Sequence, residues 1–261
     1  MIIPKNVDSL VNLRKYFFIV VVALFCNQSY AQQIEHYNQT WVGYNNTTRL
    51  TDHWGIWLDA QYKTKNEFTK NYDVNEKTIG AIFYPNEKIK LTNAFSYVQS
   101  YPNIDLPKFE VPELRPWQMI QWKSNAGPVR FSHWFRIEER FKHKTLNSSS
   151  LASGYDFSFR FRYNVFAQLP ITKIKYDKGA LSLVGSDEIY LNYGKQIIYN
   201  SFDQNRVFIG LFYYLNKHDF LQVGYTNAFQ HLSAKDKYKT VDAIKISFFN
   251  NLDFRKNHKI G

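Results

Sequence analysis

Cysteine is almost absent from this 261-residue chain, which has one, Cys26, in an apolar segment near the N-terminus. Disulfide bonds, thiolate metal sites and cysteine nucleophiles are therefore excluded from the rest of the chain. Other metal motifs are missing too, since there is no His-x-His, no His-Glu-x-x-His and no Asp-rich calcium loop. The 11 glycines are scattered and form no phosphate-binding loop. We expect no metal and no cofactor.

Long hydrophobic runs are also lacking. The longest, residues 16–26, is too short to cross the roughly 30 Å hydrocarbon core of a membrane as a helix. Three basic residues precede it: Lys5, Arg14 and Lys15. The sequence Ser29-Tyr30-Ala31 then places small residues at a possible cleavage site. We therefore predict a secretory signal peptide over residues 1–31 and a single domain over residues 32–261.

Acidic residues are fewer than basic ones, with 22 Asp and Glu against 33 Lys and Arg. The predicted signal peptide contains three Lys/Arg and one Asp, so its removal leaves 30 basic and 21 acidic residues, a net charge of +9. In an exported protein, this excess favours anionic partners such as lipopolysaccharide phosphates or a small acidic solute over nucleic acid. The alternative is that basic loops merely keep the protein soluble and attached to a charged surface.

Apolar and polar residues alternate from residue 37 onward, which is the pattern of β-strands, and no helical period is evident. Residues 155–168 show it most clearly. The odd positions are Tyr155, Phe157, Phe159, Phe161, Tyr163, Val165 and Ala167, and the even ones are Asp156, Ser158, Arg160, Arg162, Asn164, Phe166 and Gln168. Residues 129–142 and 54–63 alternate in the same way.

These alternating runs continue for 10 to 14 residues, whereas ordinary strands last about 5 or 6. A membrane-spanning strand needs about 9–11 residues. Long alternating segments rich in aromatic residues are typical of outer-membrane barrels. We predict an all-β fold, an antiparallel up-and-down transmembrane β-barrel. The alternative is a soluble periplasmic ligand-binding barrel, which would turn its apolar face inward.

Eleven segments are predicted to be strands: 37–48, 54–64, 72–84, 88–100, 114–124, 129–143, 155–168, 180–193, 204–215, 220–231 and 240–251. Because single-chain bacterial barrels usually have an even number of strands, we expect about 12, with 10 as the fallback. The missing strand would lie within residues 32–46 or 171–177. Tight turns and longer links alternate along the chain, but the link 169–179 is long where a short turn is due.

Charged residues on the polar face of the middle strands are the candidates for a lumen site. They are Arg136, Glu138, Arg140, Arg160, Arg162, Glu188 and Arg206. If they face one lumen, arginine and carboxylate groups should pair across neighbouring strands, because unpaired charges there would be costly. One interpretation is a salt-bridge network that fills the barrel. The other is a basic constriction that selects anions or binds an acidic ligand, since five arginines face two glutamates.

A family resemblance follows from the order of several motifs. They are FRIEERF (135–141), FRFRYNV (159–165), DEIYLNY (187–193), SFDQNRVFIGLFYYL (201–215) and Val223-Gly224-Tyr225. Together with the opening segment 37–62, they resemble the bacterial outer-membrane β-barrel family catalogued as domain of unknown function 2490. The resemblance covers roughly residues 37–254. It implies a Gram-negative outer-membrane barrel and brings no activity, ligand or catalytic residue.

Catalysis by a barrel hydrolase requires a serine nucleophile within hydrogen-bond reach of a histidine base. Ser132 and His133 are consecutive, so their side chains point to opposite faces of a strand. No other histidine has a serine at the required spacing, which leaves only a meeting across strands. We therefore expect a non-enzymatic, porin-like envelope protein, either a narrow channel or a binding barrel. The alternative is a lipid-modifying barrel enzyme of the phospholipase or lipid A deacylase type.

Overall fold

Eleven β-strands form the fold in a computed structural model that describes residues 33–102, 109–173, 176–195, 197, 201–232 and 237–255. The strands are β1 (Gln33–Arg49), β2 (Trp54–Asn66), β3 (Lys70–Phe83), β4 (Ile89–Ser100), β5 (Val111–Ala126), β6 (Val129–Thr145), β7 (Leu151–Pro170), β8 (Leu181–Tyr193), β9 (Phe202–Tyr214), β10 (Asp219–His231) and β11 (Lys237–Asp253). They close into one barrel, and no helix occurs among the described residues. The predicted signal peptide, with Cys26, lies outside them.

Each of the eleven predicted segments corresponds to one strand, so the expected total of 12, like the fallback of 10, is wrong for the described chain. The N-terminal region, one of the two places predicted for a further strand, contains only β1. The described residues of the other place, 171–177, form no strand. The count was wrong because it assumed that every neighbouring pair is antiparallel. An odd number of strands in up-and-down order must close with one parallel pair.

The closing pair is β1 with β11. Along this seam, Tyr44 stacks on Phe248 with ring centroids 6.0 Å apart. Two residues further along both strands, the side-chain amide of Asn46 donates to Oδ1 of Asn250 at 2.6 Å. Residue numbers therefore rise together on the two strands, which is parallel pairing. The other ten neighbour pairs join strands that follow one another in the chain and run antiparallel.

Exposed apolar side chains point outward from the barrel, and most of the buried polar side chains point into the lumen. On β7, Tyr155, Phe157 and Tyr163 are exposed, whereas Arg160 and Asn164 are buried. β2 and β6 follow the same rule, which confirms the alternation predicted from sequence. A soluble barrel has the reverse arrangement, with its apolar side chains packed inside.

Four short links lie at one end of the barrel, here called the short-turn rim: residues 50–53, 84–88, 127–128 and 215–218. The ten-residue link between β7 and β8 begins and ends at the same rim. Within it, the Tyr176 ring packs on Tyr214 with centroids 5.5 Å apart, and the guanidinium carbon of Arg130 lies 4.2 Å from the Tyr176 centroid. At the opposite rim, the predicted strands 54–64 and 72–84 leave a seven-residue link, which is wrong, since only residues 67–69 separate β2 from β3.

An aromatic cluster fills the lumen near the short-turn rim, on the side of β8 to β11. Its buried members are Ala180, Val184, Phe208, Phe212, Tyr214 and Phe220. The Phe208 ring lies over Gly210 and Gly224, two glycines paired across β9 and β10. A Cβ at Gly224 would come within 2.3 Å of the Ile209 carbonyl oxygen and 2.7 Å of the Phe208 ring. Both glycines are therefore required by close packing.

Replacing Gly224 with alanine should destabilise the barrel by about 1–3 kcal/mol, because the added methyl group forces the β9 backbone and the Phe208 ring apart. The free energy of unfolding in urea, measured on the protein refolded in detergent micelles, tests this. Gly185→Ala is the matched control, since its Cβ would lie 3.4 Å from the nearest atom. Equal stability of the two variants would contradict the packing argument.

Candidate functional site

Glu138 is the centre of a charge network in the lumen. It projects inward from β6 and has no exposed surface. From the neighbouring strand β7, Nε of Arg160 donates to Oε2 of Glu138 at 2.7 Å, and Nη1 of Arg162 donates to Oε1 at 2.6 Å. The spacing of two residues along β7 places both arginines on the inner face. Each oxygen of the buried carboxylate therefore has a guanidinium partner, which is the arrangement that a buried charge requires.

The network continues to the next two strands. Nε of Arg162 also donates to Oε1 of Glu188 on β8 at 2.7 Å, and its Nη2 donates to the Tyr190 hydroxyl at 3.1 Å. Arg160 reaches Asp203 on β9 at 3.5 Å. Four strands, β6 to β9, are thus cross-linked by side chains inside the barrel. This is the pairing across strands that the sequence suggested for these residues.

A second branch is built around Glu113 on β5. Nε and Nη2 of Arg140 donate to its two oxygens at 2.7 and 3.0 Å, a bidentate pair. Arg115 donates to Glu113 at 2.8 Å and lies 3.6 Å from Glu76 on β3. Glu113 was missed from sequence because the predicted strand began only at residue 114, and Glu76 and Arg115, although within predicted strands, were not singled out. The strand begins at Val111, and the alternation of Glu113, Arg115 and Trp117 was the signal available.

Arg136 is held mainly by aromatic rings. Its guanidinium carbon lies 3.9 Å from the ring centroid of Trp117 and 5.0 Å from that of Trp134, and Glu138 is 3.6 Å away. Its Nε is buried and has no hydrogen-bond partner among the described residues. The indole N–H of Trp57, whose ring packs edge-on against Trp117, is buried and unpartnered as well. Arg136 and Trp57 are thus two of the buried side-chain donors that lack an acceptor among the described residues.

Arg206, the last of the sequence candidates, lies beside the network, 5.1 Å from the Tyr190 ring centroid, but has no ion-pair partner within 4 Å among the described residues. Its guanidinium carbon is 4.6 Å from the Trp41 ring centroid, and Nζ of Lys63 is 4.3 Å from the same ring. Lys245 lies 5.3 Å from the Phe208 ring. Within the described parts of the chain, none of these three cations has a carboxylate within 4 Å, although Arg206 is paired in register with Glu188.

The structure brings together six of the seven predicted site residues: Arg136, Glu138, Arg140, Arg160, Arg162 and Glu188. With the residues missed from sequence, the network contains five arginines and five carboxylates. Its charges balance, so the arginine excess counted from sequence does not lie here. Among the described residues, the cations without a carboxylate within 4 Å include Lys63, Arg206 and Lys245, here called the surplus cluster.

At the short-turn rim, a cavity of about 210 Å³ is lined by charged residues that include Arg49, Glu87, Lys90 and Lys123. Nη1 of Arg49 donates to Glu87 at 2.7 Å, and Arg255 approaches the same carboxylate at 3.3 Å. The hydrogen bond from Arg49 holds the pKa of the Glu87 carboxyl below its ordinary value. These contacts tie the end of β1 and the residues just after β11 to the turn at residues 84–88.

The outer surface carries a serine and a histidine in contact. Oγ of Ser124 on β5 lies 3.1 Å from Nε2 of His133 on β6, and Nδ1 of His133 lies 3.2 Å from the Tyr163 hydroxyl on β7. Ser132, by contrast, accepts a hydrogen bond from Gln121 in the lumen. The two consecutive residues Ser132 and His133 thus face opposite sides, as predicted, and the histidine meets a different serine across the strands.

No cluster of three or more potential metal-ligating side chains occurs among the described residues. The same residues contain no helix with the length and apolarity to cross a bilayer. A family model described as "Protein of unknown function (DUF2490)" matches residues 38–239. No curated protein matches the chain.

Replacing Glu138 with glutamine should lower the free energy of unfolding by about 3–5 kcal/mol, because Arg160 and Arg162 then lose a shared buried counter-charge. Urea unfolding in micelles measures this. The matched control is Glu139→Gln on the same strand, since Glu139 is absent from the network and faces the opposite side. A loss as large in the control would mean that Glu138 has no special role.

Proposed function

We propose that this chain, which belongs to the DUF2490 family by the match over residues 38–239, is an exported barrel of the bacterial outer membrane. We propose further that its lumen binds small anions. Residues 1–31 direct its export in this proposal. The outer face contacts lipid and lipopolysaccharide. The lumen itself has no catalytic role, needs no cofactor and does not bind nucleic acid.

The membrane placement is supported by the direction of the side chains. Large apolar residues that face outward include Ile79, Phe95, Ile189 and Ile209, each of which is at least 40% exposed. In water, such a surface around a whole barrel would be costly, because contiguous apolar patches on soluble proteins seldom exceed a few hundred Å². In a bilayer the same surface is matched to the hydrocarbon. A soluble barrel would require the opposite arrangement.

Anion binding in the lumen is supported by one observation above the others, the surplus cluster of Lys63, Arg206 and Lys245. These cations project into the lumen without a carboxylate within 4 Å among the described residues. Desolvated cations are costly unless an anion or another polar group compensates them. The unpartnered donors of Arg136 and Trp57 add hydrogen-bonding capacity for the same class of ligand.

The balanced network has a different role in this proposal. Arg140, Arg160 and Arg162 each hold a carboxylate at 2.7 Å or closer, so they are already neutralised. They brace the wall and narrow the lumen rather than select an anion. Selectivity is instead assigned to the surplus cluster. The lumen is thus a binding barrel or narrow channel, not a wide pore.

Fractionation tests the membrane placement. The full chain, expressed in a Gram-negative host, should be recovered with the outer membrane, resist extraction with carbonate, and migrate faster on a gel when unheated than when boiled. These are the properties of a closed barrel embedded in lipid. Recovery in the soluble periplasmic fraction would overturn the membrane assignment and favour the soluble ligand-binding barrel.

Ion selectivity tests the assignment of the lumen. In planar bilayers under a KCl gradient, the wild-type protein should prefer chloride, and the pair Lys63→Gln and Lys245→Gln should lower the chloride-to-potassium permeability ratio at least about twofold. The matched control removes two exposed lysines from short turns, Lys88→Gln with Lys217→Gln, and should leave the ratio unchanged.

Unchanged selectivity in the lumen variant would contradict the role of the surplus cluster. If no conductance is observed, binding is measured instead by the rise in thermal stability with inorganic phosphate. A ligand that binds the folded state stabilises it in proportion to the logarithm of its concentration. A rise in wild type that is lost in the lumen variant would support a closed binding barrel, and no rise would contradict anion binding.

A further inference from the structure

Ser124, His133 and Tyr163 form a hydrogen-bonded chain on the outer face of β5, β6 and β7. The serine oxygen lies 3.1 Å from Nε2 of the histidine, and the tyrosine oxygen lies 3.2 Å from Nδ1. A serine, a histidine that can take its proton, and a third group that fixes the histidine are the parts of a hydrolytic nucleophile. The serine is exposed, so a substrate can reach it.

Strand register brings the three residues together. His133 is paired with Trp122, and Ser124 follows Trp122 by two residues on the same face of β5. Tyr163 is paired with Phe135, two residues beyond His133 on β6. Serine and tyrosine therefore occupy the two diagonal positions beside the histidine. This placement cannot be seen from spacing along one strand.

The histidine is held in one orientation. Its ring stacks on Trp122 with a centroid distance of 5.3 Å and an interplanar angle of 9°, and Tyr163 also stacks against it. The Tyr163 oxygen can accept a hydrogen bond from Nδ1–H. Nε2 then keeps its lone pair and faces the serine hydroxyl, which is the tautomer that a general base requires.

The location indicates the substrate. Ser124 is two residues from the end of β5, beside the turn at Gly127, and Trp122, Phe131 and Tyr163 surround the site. Aromatic residues at a barrel rim mark the membrane interface, and the ester bonds of lipids lie at that depth. We propose that Ser124, His133 and Tyr163 form a site that hydrolyses acyl esters of membrane phospholipids.

The reaction balances with water as the only co-reactant. Oγ of Ser124 attacks the ester carbonyl carbon while its proton moves to Nε2 of His133. The carbonyl–oxygen bond to the glycerol then breaks, and that oxygen takes the proton and leaves as a lysophospholipid. Water next gives a proton to Nε2 and attacks the acyl carbon. The bond from that carbon to Oγ breaks, Oγ takes the proton back from Nε2, and the fatty acid leaves.

The proposal also needs a donor for the oxyanion, and the backbone at the end of β5 can supply one. The N–H of Lys123 donates to the Lys88 carbonyl, beyond the last β4–β5 pair at Ile89 and Trp122. The N–H of Asn125 points to the same edge, because backbone donors alternate along a strand. We assign the oxyanion contact to this N–H group.

The substrate assignment depends on the membrane placement proposed above, so the assay avoids that assumption. The whole predicted domain, residues 32–261, is refolded in detergent and mixed with micelles that contain a phospholipid with a labelled acyl chain. Wild type should release the labelled fatty acid. Ser124→Ala and His133→Ala should each lower the rate at least about 1,000-fold, while Ser132→Ala, in the lumen, should remain within about twofold. Heat-modifiable migration shows that each variant has folded.

Tyr163→Phe tests the positioning residue. Loss of the acceptor for Nδ1–H should lower kcat about tenfold or more with little change in KM, and should shift the pH–rate profile, because the tautomer is no longer fixed. A fluorophosphonate probe should label Ser124 in wild type and not in His133→Ala.

Absence of fatty-acid release and of labelling in the folded wild type would overturn the proposal. Equal rates in wild type and Ser124→Ala would do so as well, since the activity would then come from another source. Both results leave the membrane and lumen proposals intact. If the chain is found in the periplasm but still hydrolyses esters in micelles, the Ser124 site is supported and membrane phospholipids are ruled out as its natural substrate.

Discussion

A carboxylate with no access to water sits at the centre of this barrel, and the rest of the interior is arranged around that constraint. Glu138 has no exposed surface and keeps its charge because Arg160 and Arg162 each donate to it. Those arginines also form ion pairs with carboxylates on the next strands, Arg162 with Glu188 on β8 and Arg160 with Asp203 on β9. Because the charges are paired, the polar faces of the strands can enclose a narrow lumen. The apolar residues that alternate with them then point outward.

Much of the fold could be predicted from the sequence because strand alternation has a period of two. It located all eleven strands and identified which face of β6 and β7 is apolar. The strand count went wrong when a general rule about even numbers overrode eleven visible segments. Pairing of β1 with β11 depends on contacts between residues about 200 positions apart, such as Asn46 and Asn250, and periodicity along one strand contains no information about them.

The site was predictable to the same extent. Arg136, Glu138, Arg140, Arg160, Arg162 and Glu188 all lie in one network, as alternation suggested, but Glu113 was missed because Pro112 beside it favoured a loop. Arg206 is paired in register with Glu188, but its guanidinium group lies over the rings of Trp41 and Tyr190 and has no carboxylate within 4 Å among the described residues, which sequence spacing does not express. Ser124 and His133 meet across two strands, so their contact required the register of β5 with β6.

The parallel seam has a consequence for how the molecule assembles. Every antiparallel neighbour pair joins strands that are consecutive in the chain, so all ten of these pairs can form locally while β1 and β11 each still lack one partner. The final pair brings together residues separated by 204 positions. Contacts between residues so far apart in the chain form late, because the conformational entropy of the long loop is lost before the contact stabilises the fold. Until then, the two seam strands present open hydrogen-bonding edges to the surrounding medium.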